Sequence, residues 1–124
     1  MTSEGRPYAR FRRALEGPSI AVIRSAAAEL DRVGLEDGLA ICLRFLELEP
    51  PTYPRAASRW VARLALERKL TLGEFQLALS SMAALEGPAA RAGSEALIEL
   101  CAHHSLAGAE PIVGAWLTRN GLAD

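Results

Sequence analysis

ALEGP, at Ala14–Pro18 and again at Ala84–Pro88, is the stretch on which the reading of this chain turns. Three residues compatible with helix are followed by a glycine and a proline. Glycine reaches the left-handed backbone that ends a helix, so Gly17 and Gly87 are each predicted to terminate one. Proline suits the first turn of a helix, which places the next starts at Pro18 and Pro88. Aligned at their offset of 70, the copies also match Ala26 with Ala96 and Glu29-Leu30 with Glu99-Leu100, and then diverge. An old hairpin duplication and convergent use of Gly-Pro between helices both account for these letters. The pentapeptide is read as punctuation and not as a site.

The segments around that punctuation carry helical spacing. Tyr8, Phe11 and Leu15 form one apolar stripe, and Ile20, Ile23, Ala27 and Leu30 the next. Leu39, Leu43 and Leu46 follow, then Tyr53, Ala57, Trp60 and Leu64. Leu72, Phe75, Leu79 and Met82 precede Leu97, Leu100, Cys101 and His104, and Ile112, Val113, Trp116 and Leu117 complete the series. Gaps of three and four recur while alternation at period two is not sustained, which argues against strands. Pro50-Pro51 and Pro54 break the chain midway. Thr71-Leu72-Gly73-Glu74 has the form of a capping box. Helices are therefore predicted over 7–16, 18–31, 35–48, 53–68, 72–86, 88–104 and 109–119.

This pattern predicts an all-α fold of about seven short helices, arranged as successive antiparallel hairpins. They form an irregular bundle or a short helical-repeat-like array, the two architectures that such spacing allows. The tetratricopeptide and ankyrin signatures are missing. Residues 1–124 are read as one domain with a flexible tail over 1–5. Gly38, Gly93 and Gly114 fall inside predicted helices, each costing about 1 kcal/mol relative to alanine. Close helix–helix approach is the expected reason for all three.

Composition bounds the function classes. The 124 residues are 50% hydrophobic and 23% charged, a globular balance with enough chain for one core. A net charge of −1 argues against a general polyanion binder. The charge is uneven: residues 1–69 hold 12 Arg/Lys against 9 Asp/Glu, and residues 70–124 hold 2 against 6. No apolar run approaches a membrane span, and the N-terminus lacks the apolar stretch of a secretory signal. With only Cys42 and Cys101, a reduced cytoplasmic setting is expected over a disulfide framework. RPYARFRRALEGPSIAVIRSAAAEL (6–30) with RAASRWVARLALE (55–67) resembles short helical proteins of G+C-rich bacteria, a group with no assigned activity. The resemblance covers roughly the first 70 residues and implies an all-helical cytoplasmic protein, without supplying a catalytic residue.

Few residues suggest chemistry. Cys101, His103 and His104 are the only cluster of metal-ligating types, and on a helix Cys101 and His104 share a face while His103 points elsewhere. Cys101 and His104 also continue the stripe of Leu97 and Leu100, so a packed thiol and a helix-end histidine are expected, with no metal or other cofactor. No GxSxG, HExxH, CxxC or P-loop motif is present, and the reading leans away from an enzyme. The sharpest anomaly is a line of arginines. Arg55, Arg59 and Arg63 crowd one helix face at intervals of four, with Glu67 one turn on. Arg6, Arg10 and Arg13 make a similar stripe on the first helix, with Arg12 able to pair with Glu16.

Three roles compete for these arginines. They pair within the fold, with Glu47 and Glu49 as natural partners; or they dock an acidic protein surface, including that of a second copy; or they track a phosphate backbone. The expected function is a non-catalytic interaction or scaffold module that meets an acidic partner or itself through Arg55, Arg59, Arg63, Arg6, Arg10 and Arg13. A nucleic-acid-associated accessory protein using the same stripes is the main alternative. A small-molecule binder or enzyme with a pocket between helices is the second.

Overall fold

The computed structural model describes residues 5–123, and every regular element among them is helical. In order these are α1 Gly5–Glu16, α2 Ile20–Ala28, α3 Leu35–Leu48, α4 Tyr53–Arg68, α5 Leu72–Ala84, α6 Ala90–His103 and α7 Ala109–Arg119. A 3₁₀ turn, Pro50–Thr52, leads into α4. Of the tail expected over 1–5, residues 1–4 lie outside the described residues, and Gly5 already belongs to α1.

The two ALEGP copies share a closing hydrogen bond, although α1 runs on through Glu16 while α5 ends at Ala84. Gly17 N–H donates to Ala14 O at 3.0 Å, and Gly87 N–H donates to Ala84 O at 3.1 Å. Neither glycine is left-handed, contrary to expectation: positive φ occurs instead at Lys69, Ser105 and Gly121. A following proline crowds the residue before it into extended backbone, which displaces the left-handed cap from Gly-Pro. The prolines also precede the helices and do not open them. Ser19 caps α2, its Oγ accepting Val22 N–H at 3.2 Å, and α6 begins only at Ala90. Left-handed caps close α4, α6 and α7, where Leu70, Leu106 and Leu122 donate back to Ala65 O, Cys101 O and Leu117 O. The capping box of α5 is formed, with Thr71 N–H donating to Glu74 Oε1 at 2.9 Å and Glu74 N–H to Thr71 Oγ1 at 3.1 Å.

Successive helices pack together, and polar contacts fix their direction. Tyr53, opening α4, donates its hydroxyl to Met82 O near the end of α5 at 2.7 Å. Glu74 in the first turn of α5 meets His104, just past α6, at 2.8 Å. These neighbours are antiparallel. α7 then returns to α3. Glu36, in the first turn of α3, accepts Gly108 N–H at the start of α7 at 2.6 Å. At the far end Arg119 Nη2 donates to Glu47 Oε1 at 2.9 Å, and Asn120 Nδ2 to Glu47 Oε2 at 3.2 Å. So α3 and α7 run parallel, as the closing pair must when an odd number of alternating helices forms a circuit. The architecture is thus a closed bundle, α3–α4–α5–α6–α7 and back to α3, with the α1–α2 hairpin resting on α3.

Leu39, Leu43, Tyr53, Leu64, Leu97 and Val113 sit at the centre of the core without solvent contact. Full burial of an aliphatic side chain of this size is worth about 1.5–3 kcal/mol, which is what draws the stripes inward. Three members of the predicted stripes stay outside: Tyr8, Leu72 and Leu79 are exposed. α5 presents Ala78, Ser81 and Met82 to the core, and Leu79 is turned roughly 100° around the helix from Ala78. Among the interior glycines, a Cβ on Gly93 would lie 2.7 Å from Ala84 Cβ, and one on Gly38 would lie 3.1 Å from Trp60 Cδ1. Gly114 faces open space, so close approach does not explain it.

Candidate partner-binding face

The buried residues Tyr53, Ala57, Trp60, Val61 and Leu64 anchor the inner side of α4. Trp60 is pinned by its Nε1–H, which donates to Leu35 O at 2.8 Å. Helical periodicity then turns Arg55, Arg59, Ala62 and Leu66 outward along one line, and all four are exposed. The side chains of Arg55 and Arg59 make no hydrogen bond or ion pair among the described residues. Arg63 differs. Its Nε–H donates to Glu67 Oε2 at 2.5 Å, and Arg32 shares the same carboxylate at 3.1 Å. The hydrogen bond from Arg63 holds the Glu67 carboxyl below the usual carboxylate range.

Glu47 and Glu49, the carboxylates that the pairing-within-the-fold reading offered, are not the partners of this line. Glu47 bonds Arg44 at 2.9 Å and Arg119 across the α3–α7 contact, and Glu49 bonds Arg24 at 3.1 Å and the Thr52 hydroxyl. The α1 stripe divides in the same way. Arg10 grips both oxygens of Glu29 at 2.7 and 2.6 Å, whereas Arg6 and Arg13 are exposed without a partner among the described residues. Arg12 pairs with Asp37 at 3.1 Å and not with Glu16. α1 does not touch α4, so the two stripes are separate surfaces.

The α4 line has apolar company that the stripe pattern had assigned to the core or left unassigned. Leu66 is 81% exposed and Leu72 is 76% exposed, on either side of the α4–α5 connection. Further along, a cleft of about 250 Å³ opens between the two helices. Pro54, Ala57, Ser58, Leu79, Ala83 and Glu86 line it above Tyr53 and Met82. Neither Arg55 nor Arg59 lines this cleft; Ser58, which does, stands beside their line on the side of α4 that faces α5.

Other candidate chemistry is largely self-satisfied. A larger groove of about 600 Å³ lies where α1, α3 and α7 meet. Most of its charged groups already have partners: Arg12 pairs with Asp37, Arg44 and Arg119 with Glu47, and Glu36 with the Gly108 N–H, while Glu16 on its rim is unpaired among the described residues. Cys42 and Cys101 are free thiols, both buried, and burial pushes them up to about 12 and about 11. Thiols so raised stay protonated at neutral pH, which removes them as nucleophiles. His103 is exposed and His104 half-buried at the end of α6, facing Glu74 and not Cys101. No described helix is long and apolar enough to cross a membrane. No protein family, curated protein or solved structure matches the chain.

Proposed function

We propose that the protein is a non-catalytic interaction module whose α4–α5 face docks an acidic protein surface. The observation that carries this reading is the pair Arg55 and Arg59, exposed and without counter-charge among the described residues, with the exposed leucine Leu66 further along the same line and Leu72 just past the α4–α5 connection. Arginine presents a planar fork matched to carboxylates, and adjoining apolar side chains supply the desolvated centre that gives a contact its affinity. A phosphate backbone would use the arginines and leave the leucines in water, so the nucleic-acid reading explains less of this face.

One observation favours a second copy as the acidic surface. Glu95 and Glu99 are exposed on α6 one turn apart, the same spacing as Arg55 and Arg59, and neither has an ion-pair partner among the described residues. Two copies related by a two-fold axis would set α4 of each against α6 of the other.

The test compares the wild type with the Arg55→Glu/Arg59→Glu variant. The variant is expected to retain its helicity and melting temperature, since neither side chain has a hydrogen bond or ion pair to lose. In pull-downs from nuclease-treated lysate, a protein held by the wild type should be lost at least about tenfold by the variant. Equal retention by both, or loss of the partner on nuclease treatment alone, overturns the reading. Light scattering separates the second copy: there the double reversal gives monomer, and adding Glu95→Arg/Glu99→Arg restores the dimer.

A further inference from the structure

Besides the arginine face, one group of side chains converges without being absorbed into packing. Glu74, His103 and His104 each bring a ligand atom within 4.8 Å of the others. They come from opposite helices: Glu74 is in the first turn of α5, and the two histidines are at the end of α6. The antiparallel packing of that pair sets them side by side. We propose that Glu74, His103 and His104 form a site for a divalent transition metal, of which zinc is the best fit, with solvent completing the coordination shell.

The geometry supports each ligand separately. Glu74 is held rigid by the capping box, which uses Oε1, while Oε2 faces His104 Nε2 at 2.8 Å. The hydrogen bond from the Thr71 backbone, with that from His104, keeps this carboxyl below the usual carboxylate range, so it is ionised at neutral pH. His104 is the C-cap of α6, just before the left-handed Ser105, and its ring reaches the first turn of α5 at Glu74. His103 is exposed, and its ring meets that of His104 edge-on with centroids 5.2 Å apart. Two imidazoles and a carboxylate are ligands of borderline hardness, suited to zinc and its neighbours and unsuited to magnesium or calcium. In a tetrahedral zinc shell the ligand atoms stand roughly 3.3 Å apart, and rotation of the free His103 ring brings it in.

Arg68 is the cation nearest in the hydrogen-bond network, and its Nε–H is occupied by His104 O at 3.2 Å. Cys101, grouped with the two histidines by residue type in the sequence, is not part of this cluster; Glu74, thirty residues away from His104 in the chain, is.

Equilibrium dialysis of the full chain against zinc, read by elemental analysis, decides the matter. The wild type should hold about one equivalent, Cys101→Ser should bind the same, and His103→Ala should bind at least about tenfold more weakly. His103 makes no hydrogen bond, so its loss leaves the fold in place, as circular dichroism will verify. Zinc should raise the melting temperature of the wild type and not that of His103→Ala. Substitution with cobalt should give a visible spectrum without a thiolate charge-transfer band. Fewer than about a tenth of an equivalent of zinc, unchanged affinity in His103→Ala, or a thiolate band with cobalt each overturns the site.

Discussion

Gly93 and Gly114 are the same residue in the same kind of place, and they should respond to alanine with opposite signs. A methyl on Gly93 would press on Ala84 Cβ and on Ser81 O, which is backbone and has nowhere to go. Gly93→Ala should therefore cost about 1–3 kcal/mol despite the gain in helix propensity. Gly114→Ala meets nothing within 4 Å and should stabilise by about 0.5–1 kcal/mol. Urea unfolding of both variants checks the pair. The sequence alone treats the two alike, because a glycine's neighbours across a helix contact are set by residues far along the chain. The arginine line shows the same limit. Its spacing is plain in RAASRWVARLALE, yet which members are free depends on the third dimension. Arg63 is taken up by Glu67 and Arg32 joins it from the end of the first hairpin, while Arg55 and Arg59 are left over.

At the scale of elements, the helices themselves were legible and their ends less so. Apolar spacing located all seven, and α3, α4 and α7 match their predicted bounds because proline, glycine or a charged turn marks both sides. α2 is shorter than expected at each end, since Ser19 and not Pro18 caps it and its last residues unwind into a tight turn at Glu29 and Leu30. What no local pattern announces is the joining of α3 to α7. Glu47 is 72 residues from Arg119, and the side chain is largely enclosed between Arg44 and Arg119. Burial pushes the Glu47 carboxyl up, but hydrogen bonds from Arg119 and Arg44 outweigh it and hold the group below its ordinary value of 4.5. A carboxyl depressed by folding contributes stability that is complete above the unfolded value and fades as pH falls through the folded one. Glu47→Gln should thus lower stability by about 1–3 kcal/mol at neutral pH, with the difference shrinking on acidification. Melting temperatures measured from pH 7 down to about pH 2 test this; curves that stay parallel would refute it.

For the whole molecule, closure separates this bundle from a repeat array. In an open stack, removing the last unit costs one interface and leaves the others folded. Here α7 bridges α6 and α3, burying Val113 and Trp116, and its removal uncovers both. A chain ending at Gly108 should lose its cooperative thermal transition entirely. A truncated chain that melts sharply at a modestly lower temperature would show that the circuit is not one cooperative unit. Helix packing likewise explains why a local reading misses Glu74 beside the two histidines that the sequence does single out. Glu74 reads as a helix cap and the histidines as a helix end, and only the register of α5 against α6 makes them neighbours.

The parallel seam between α3 and α7 limits how this chain can change length over evolution. A ring of alternately directed rods keeps its seam's sense only if rods are gained or lost two at a time. Insert a single helix, and Glu36 would confront the wrong terminus of its mate while Glu47 lost its arginine. Growth by whole hairpins is the permitted step, and the shared letters of ALEGP stand where such a step would begin.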